Sequence, residues 1–369
     1  MDKIKIGIIG MGSMARNHYA KLKTIPEFEV TALADVNPAA LQNYPEKKFS
    51  NGRELIEKGG VDAVLIATPH FDHASLAVAA LKKKIHVLVE KPVAVHGLDA
   101  HRMVKAHTDK NVVFAAMFNQ RTRPAFCKVK DLVERGELGK LQRVSWIITD
   151  WYRTDAYYRS SPWRATWKGE GGGILLNQLA HNLDILQWIC GMPERVISLV
   201  GIGKYHAIEV EDDVSALLEF PGGMTGTLVT CTGETPGSNR FEIAGSRGKL
   251  VLEDNNKLRF VRNEVPSDEF CRTSKEIWCA PNTWEVSFPQ MAAGDGEQHA
   301  GIMKNFRDAI LKGAPLIAPG EEGLNSLALG NALLMSGVLK KPVKLPLDDA
   351  RYVKTLKKLE TDAAKRKGK

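Results

Sequence analysis

Residues 3–9 form an apolar run that breaks into Gly10-Met11-Gly12-Ser13-Met14-Ala15 and then into a helical stretch over 13–24. A chain with this order must turn sharply from strand to helix. Gly10 permits the tight turn, Gly12 lets backbone amides approach a bound group, and Ala15 keeps the helix close to the sheet. The unpaired amides at the helix start then face an anion, so the segment predicts a pyrophosphate site. Such a motif alone is a weak signal; the strand before it and the helix after it supply the context its mechanism needs. A second strand over 29–34 ends at Asp35, twenty residues beyond Ala15. A carboxylate there accepts hydrogen bonds from both ribose hydroxyls and repels a 2′-phosphate. No Arg or Lys follows until Lys47, so NAD is expected rather than NADP.

Further apolar strands are read at 61–67, 86–89 and 112–118, with helices between them, notably 73–84, and another helix over 124–135. Strands alternating with helices indicate a parallel, doubly wound α/β sheet. From about residue 140 the pattern changes. Segments 141–149, 195–203, 213–220, 224–231, 239–244, 248–253 and 257–262 read as strands joined by turn residues such as Pro221-Gly222-Gly223. That predicts a mainly antiparallel open sheet in a second, α+β domain. Helices are expected at 299–312 and 321–340, while 263–298 lacks periodicity and suggests a lid or subunit contact. The expected division is an NAD-binding Rossmann domain over 1–122, a substrate-binding and oligomerisation domain over 123–345, and a basic helix or tail over 346–369.

The net charge of +8 is concentrated at the end of the chain: residues 351–369 carry eight Lys or Arg against two acids. A solvated, fraying terminal helix explains this better than a nucleic-acid arm, because no aromatic residue beyond Tyr352 interleaves the basic ones. Five cysteines with no CxxC pair point to reduced thiols and a cytoplasmic protein. No apolar run reaches bilayer length and no signal peptide is read at the start, so neither membrane nor nucleic acid is expected as a partner. His70 and His73 lack a suitable third ligand, and no metal is expected.

Oxidising a secondary alcohol requires a base for the hydroxyl proton and a positive charge beside the oxygen. Glu90-Lys91-Pro92 closes the strand at 86–89 and offers a lysine at a strand end, with Glu90 to orient it. Residues 171–190 read as a helix entered through Gly171-Gly172-Gly173, with Asn177, His181 and Asp184 on one face. These three motifs together resemble the Gfo/Idh/MocA family of nicotinamide-dependent sugar and cyclitol oxidoreductases, and the likeness runs over residues 3–345. The resemblance implies that Lys91 and His181 are catalytic. It implies cofactor contacts at Gly10, Met11, Gly12, Ser13, Met14, Asp35, Thr68, Pro69, His73, Glu90, Lys91 and Asn119, and at Trp163 and Arg164, which look like the family motif closing over the nicotinamide. Arg121 and Pro124 fall on the family's Arg-x-x-Pro junction. Asn177 stands where the family usually has Asp, and Leu179 where Gly is common. An amide adds no negative charge, so which of Lys91 and His181 is the base stays open.

Five of the seven tryptophans lie between 146 and 188. Trp146 and Trp188 suit a core; the irregular stretch 151–170, rich in Trp, Tyr and Arg, suits a sugar-facing loop. Substrate contacts are expected at Trp151, Tyr158, Arg159, Arg123, Asn177 and Asp184. The stretch 169–191 looks like relatives that act on glycosides at C3. The expected activity is therefore oxidation of a pyranose or glycoside hydroxyl by NAD, in a homo-oligomer assembled through the second sheet. Inositol dehydrogenase, a redox-neutral glycoside-cleaving enzyme with retained NAD, and a sugar-sensing regulator are the alternatives; a proton-handling Lys91 and His181 weigh against the last.

Overall fold

A computed structural model of the chain describes residues 3–291, 294 and 297–367. The first sheet contains β1 (Ile4–Ile9), β2 (Phe28–Ala34), β3 (Lys47–Phe49), β4 (Ala63–Ile66), β5 (His86–Val89) and β6 (Phe114–Ala116). All are parallel, in the spatial order β3-β2-β1-β4-β5-β6. The order reverses beside β1, which pairs with both β2 and β4: Ile6 lies opposite Val30 on one side and Ala63 on the other. In a doubly wound sheet this reversal opens a crevice at the strand carboxyl ends. Gly10-Met11-Gly12, Thr68-Pro69 and Glu90-Lys91 all occupy those ends. The central strands β1, β4 and β5 are mostly buried and aliphatic, as a sheet covered on both faces requires.

The second sheet contains β7 (Leu141–Ile148), β8 (Arg195–Ile202), β9 (Glu211–Glu219), β10 (Thr225–Cys231), β11 (Asn239–Gly245), β12 (Gly248–Glu253), β13 (Lys257–Asn263), β14 (Thr283–Ser287) and β15 (Val343–Lys344). Its order is β14-β13-β12-β11-β7-β10-β9-β8-β15, and only the β7–β10 pair is parallel. The buried face includes Val144, Trp146 and Ile148, alternating with more exposed residues on the other face. Trp146 packs on Phe241 with ring centroids 4.3 Å apart, and its indole N–H donates to Asn239. Helix Gly323–Leu339 joins β8 to the core: the Ser198 hydroxyl donates to the Leu333 carbonyl at 2.6 Å, and the Ser198 backbone N–H donates to Ser336 Oγ at 3.1 Å.

Two local expectations are corrected. The helix expected over 171–190 begins only at Ala180, because residues 171–179 fold as successive turns. The aperiodic stretch 263–298 holds a short helix, Ser267–Thr273, and the edge strand β14. Residues 292, 293, 295 and 296 of that stretch lie outside the described residues. The terminal segment is a helix, Asp349–Lys367, whose first half is docked rather than solvated, with Tyr352 and Leu356 buried. Residues 1, 2, 368 and 369 also lie outside the described residues. Among the described residues, no helix is long and apolar enough to cross a membrane.

Candidate active site

Gly10 has φ +87°, and a Cβ there would sit 2.7 Å from the Ala67 carbonyl oxygen, so glycine is required where β1 turns against the end of β4. Gly12 is the opposite case: a Cβ would meet nothing within 4 Å. This open ground at the start of helix Ser13–Leu22, edged by exposed Ser13 and Met14, fits a dinucleotide phosphate cradle. Met11 is buried, and its amide donates to Asp35 Oδ2 at 2.7 Å; Asp35 Oδ1 accepts from Asn37 N–H at 2.8 Å. Asp35 thus ties the turn to the end of β2 and keeps lone pairs free for a ribose.

His73, expected at the cofactor, has both ring nitrogens against the protein's own backbone. It is buried, and its ring nitrogens lie 2.8 Å from the carbonyl oxygens of Thr68 and Pro92. It therefore ties the ends of β4 and β5 together beneath the site. Glu90 is also buried. Its Oε1 lies 2.5 Å from His18 Nε2, and its Oε2 accepts the Lys91 amide at 3.0 Å. Burial alone would raise the Glu90 carboxyl, but the His18 hydrogen bond and the surrounding positive charges hold it at about 2. It stays ionised and joins the cofactor-turn helix to the strand end carrying Lys91.

Lys91 Nζ donates to the Asn177 carbonyl at 2.9 Å and to Asn177 Oδ1 at 3.3 Å. Burial lowers the Lys91 pKa below 10.5, with Glu90 and Glu170 opposing that shift. The Asn177 amide in turn donates to Glu170 Oε1, and Glu170 Oε2 accepts the Ala165 N–H at 2.6 Å. The backbone here is fixed from the second sheet. A Cβ at Gly173 would lie 2.0 Å from the Glu211 carbonyl oxygen, and the Glu211 carboxylate accepts the amides of Gly173 and Leu175 at 2.8 and 3.1 Å. These contacts hold 171–179 in turns and delay the helix. Within 170–187 only Asn177 and His181 escape full burial, and Lys91 acts on both, donating to Asn177 and setting its charge near His181.

His181 packs edge-on to Phe118, with centroids 6.4 Å apart, and its buried Nδ1 has no hydrogen-bond partner among the described residues. Burial first and the Lys91 charge second push its pKa well below 6.5, so the imidazole is neutral at physiological pH. Asn119 donates toward Gln298 and His299, while its buried Oδ1 has no partner among the described residues and is free to accept from a ligand amide. Arg123 is half-buried, with an unpartnered Nε, and its charge acts on His181. Trp151 lies under the Arg153 guanidinium at 5.2 Å. Arg164 stacks over Trp163 and Tyr157 at 4.8 and 4.6 Å and donates to the Tyr157 hydroxyl at 2.8 Å.

Three expected substrate contacts are not brought into this cluster. Tyr158 is buried, its hydroxyl 2.8 Å from Thr232 Oγ1 and its ring packed on His206. Arg159 is exposed and approaches only Asp155, at 3.6 Å. Asp184 is fully buried and held by Arg121 and Gln187. Tyr157, Gln178 and Glu170 take their place: the Tyr157 hydroxyl receives Gln178 Nε2 at 3.1 Å and Asn177 Nδ2 at 3.4 Å. The one sequence signal for Glu170 is its place inside a glycine run, where a charged side chain has no regular face to leave by.

Residues 4–118 match the family model for the NAD-binding Rossmann fold of this oxidoreductase family, and residues 126–251 match its GFO/IDH/MocA C-terminal domain. Myo-inositol 2-dehydrogenase of Thermotoga maritima is 27% identical over 355 residues, 93% of this chain and 98% of that one. Levoglucosan dehydrogenase of Pseudarthrobacter phenanthrenivorans is 25% identical, covering 94% of this chain and 99% of its own. The crystal structure of the WlbA dehydrogenase from Bordetella pertussis, in complex with NADH and UDP-GlcNAcA, superposes with a TM-score of 0.79 at 26% identity, covering 94% of this chain and 99% of that one. With both halves of the chain matched, it belongs to the Gfo/Idh/MocA family of NAD-binding oxidoreductases.

Proposed function

We propose that this protein is an NAD-dependent dehydrogenase acting on a ring hydroxyl of a pyranose sugar or glycoside, at C3. The observation that carries the reading is the convergence of a hydrogen-bonded Lys91 ammonium and a neutral His181 beside the cofactor crevice. NAD, when bound, supplies the hydride acceptor. Gly10, Gly12 and Asp35 would hold its pyrophosphate and ribose, and Asn119, just beyond the β6 strand that pairs with Lys91's strand, offers an unpartnered Oδ1 acceptor. His181 takes the hydroxyl proton, a role open to it because burial keeps it unprotonated. Lys91 remains a cation and stabilises the oxyanion as it develops. Tyr157 and Trp151 offer flat faces for a sugar ring, with Gln178 and Asn177 as hydrogen-bonding groups, while Trp163 and Arg164 stay with the cofactor.

The names of the relatives support the substrate class: one acts on an inositol, one on levoglucosan, and one holds a UDP-sugar. The five free thiols suit a reducing, cytoplasmic setting. The outer face of the second sheet suits a second copy of the chain. Leu199 and Leu217 are 76% and 56% exposed there, and Ile197 lies directly opposite Leu217. Sedimentation of the purified protein tests that assembly, and a monomer at micromolar concentration would contradict it.

The chemistry is tested with glucosides deuterated singly at C1, C2, C3 or C4, following label onto NADH by mass spectrometry. Transfer from C3 is the expected result. Transfer only from C1 would make it an aldose 1-dehydrogenase, and oxidation of inositol but of no pyranose would assign it to cyclitols. Turnover of a glycoside without net NADH would instead mark a redox-neutral cleavage enzyme.

A further inference from the structure

Asn177 leaves the Lys91 site without the carboxylate that this family usually places there, yet a carboxylate stands one side chain further out. Glu170 is 3% exposed, and its Oε1 accepts the Asn177 side-chain amide. The other end of that amide, Oδ1, accepts Lys91 Nζ at 3.3 Å. We propose that Glu170 is a charged positioning residue of the Lys91 site, coupled to the ammonium through the Asn177 side chain. This deepens the dehydrogenase reading above and rests on it for its kinetic consequence.

The argument is one of donors and acceptors. An ionised carboxylate can only accept, so Glu170 selects the N–H end of Asn177 and leaves the oxygen end for Lys91. A neutral amide at 170 would remove that selection, because it could present a donor to Asn177. Asn177 could then turn its own N–H toward the ammonium, breaking the 3.3 Å contact. Glu170 is itself fixed by the Ala165 N–H at 2.6 Å and faces Arg164 Nη1 at 3.9 Å. The charges around Lys91 come from several elements. Glu90 and Glu170 favour its charged form, while Arg164 and Arg153 oppose it, and His70, His181 and His299 each feel the Lys91 charge. Burial raises the Glu170 carboxyl, and the bonds from Ala165 and Asn177, with Arg164 and Lys91, oppose that rise. Glu170 is thus the carboxylate joined to the Lys91 ammonium by a hydrogen-bonded bridge through Asn177, since Glu90 engages the Lys91 backbone instead.

The test compares the unmodified protein with Glu170→Gln and with the double variant Glu170→Gln/Asn177→Asp. Lysine carrying 13C at Cε reports the Lys91 titration by NMR, with Lys91→Met assigning the resonance, and no substrate is needed. Removing the Glu170 charge should lower the Lys91 midpoint by about one pH unit, and Asp at 177 should restore it. The high-pH limb of kcat/KM, measured on a pyranoside the enzyme oxidises, should move down and back in parallel. An unchanged midpoint in Glu170→Gln, or a fall that Asn177→Asp does not reverse, would overturn the proposal and leave Glu170 as a cap for Ala165. If Glu170→Gln alone does not fold, the double variant decides: a wild-type midpoint supports the coupling and a lowered one refutes it. Should the unmodified protein oxidise no pyranose, the substrate reading fails while the NMR titration still judges Glu170.

Discussion

Arg121 and Asp184 form a buried fork-to-fork ion pair: Nε and Nη2 each donate to one carboxylate oxygen at 2.7 Å, and neither side chain is more than 1% exposed. The guanidinium also donates to the Ile317 carbonyl and to Glu322 and lies over the Trp188 ring at 5.4 Å. Asp184 therefore anchors helix Ala180–Cys190, which begins one residue before His181, to the segment that leaves the first sheet. Truncating one partner strands a buried charge, so Asp184→Ala should cost about 3–5 kcal/mol of stability. A substrate contact at 184 would predict a raised KM with normal stability. Denaturant midpoints alongside KM separate the two.

Asp35 should set cofactor choice. Its carboxylate is braced by the Met11 and Asn37 amides and directs negative charge toward the ribose site. Asp35→Ser should weaken NAD at least about tenfold and narrow the gap to NADP, since the repulsion of a 2′-phosphate is lost. Calorimetric titration with both cofactors provides the check. Equal affinity for NAD and NADP in the unmodified protein would rule out the role given to Asp35.

Acid should destabilise the protein from neutrality downward. Burial drives the pKa of His299 from 6.5 to about 4 and those of His70 and His181 well below 6.5. The unfolded chain then binds protons that the folded one refuses, so stability is full above pH 6.5 and falls as pH drops toward 4. Below pH 4.5 Glu90, held at about 2, adds to the loss, because its advantage as a carboxylate disappears on protonation of the unfolded form. Each shifted histidine contributes a slope of about 1.4 kcal/mol per pH unit. His299→Gln should flatten the stability profile between pH 6.5 and 4. Unfolding free energies measured across that window, with no decline in the parent protein, would contradict this account.

The parts of this molecule that obey a local rule were legible in the sequence. The strand–Gly10-x-Gly12–helix order has a steric requirement that Gly10 meets against Ala67, and the β8–β13 run announces itself by alternation and turns. Parts decided by distant partners were not. The helix over 171–190 satisfied the periodicity rule, but Glu211, far along the chain, holds the amides of Gly173 and Leu175 and delays its start to Ala180. Tyr157 and Tyr158 are adjacent in a stretch without a readable period, which folds as the short helix Asp155–Arg159, and only the packing of Tyr158 on His206 and Thr232 shows which one faces Arg164. Asp184 shares a helix with His181, but only Arg121 reveals that it faces the core.

Lys91 and His181 should prove separable from cofactor binding. Neither residue is needed to shape the Gly10–Gly12 cradle or to hold Asp35, whose contacts are to Met11 and Asn37. Lys91→Met removes the charge beside the developing oxyanion while keeping much of the side chain's volume. His181→Ala removes the group that takes the proton. Each loss should lower turnover by at least about a hundredfold, the scale expected for a general base or a preorganised charge. NAD affinity should change by less than about fivefold, a difference of under about 1 kcal/mol. The two variants should also differ from each other. With His181 gone, small imidazole bases in solution should restore part of the rate, because the cavity left beside Phe118 lies on the open side of the segment. With Lys91 gone, no added base should help, since what is missing is a fixed charge rather than a proton acceptor. Rescue of Lys91→Met by added amines with His181→Ala left unrescued would reverse the roles and make Lys91 the base.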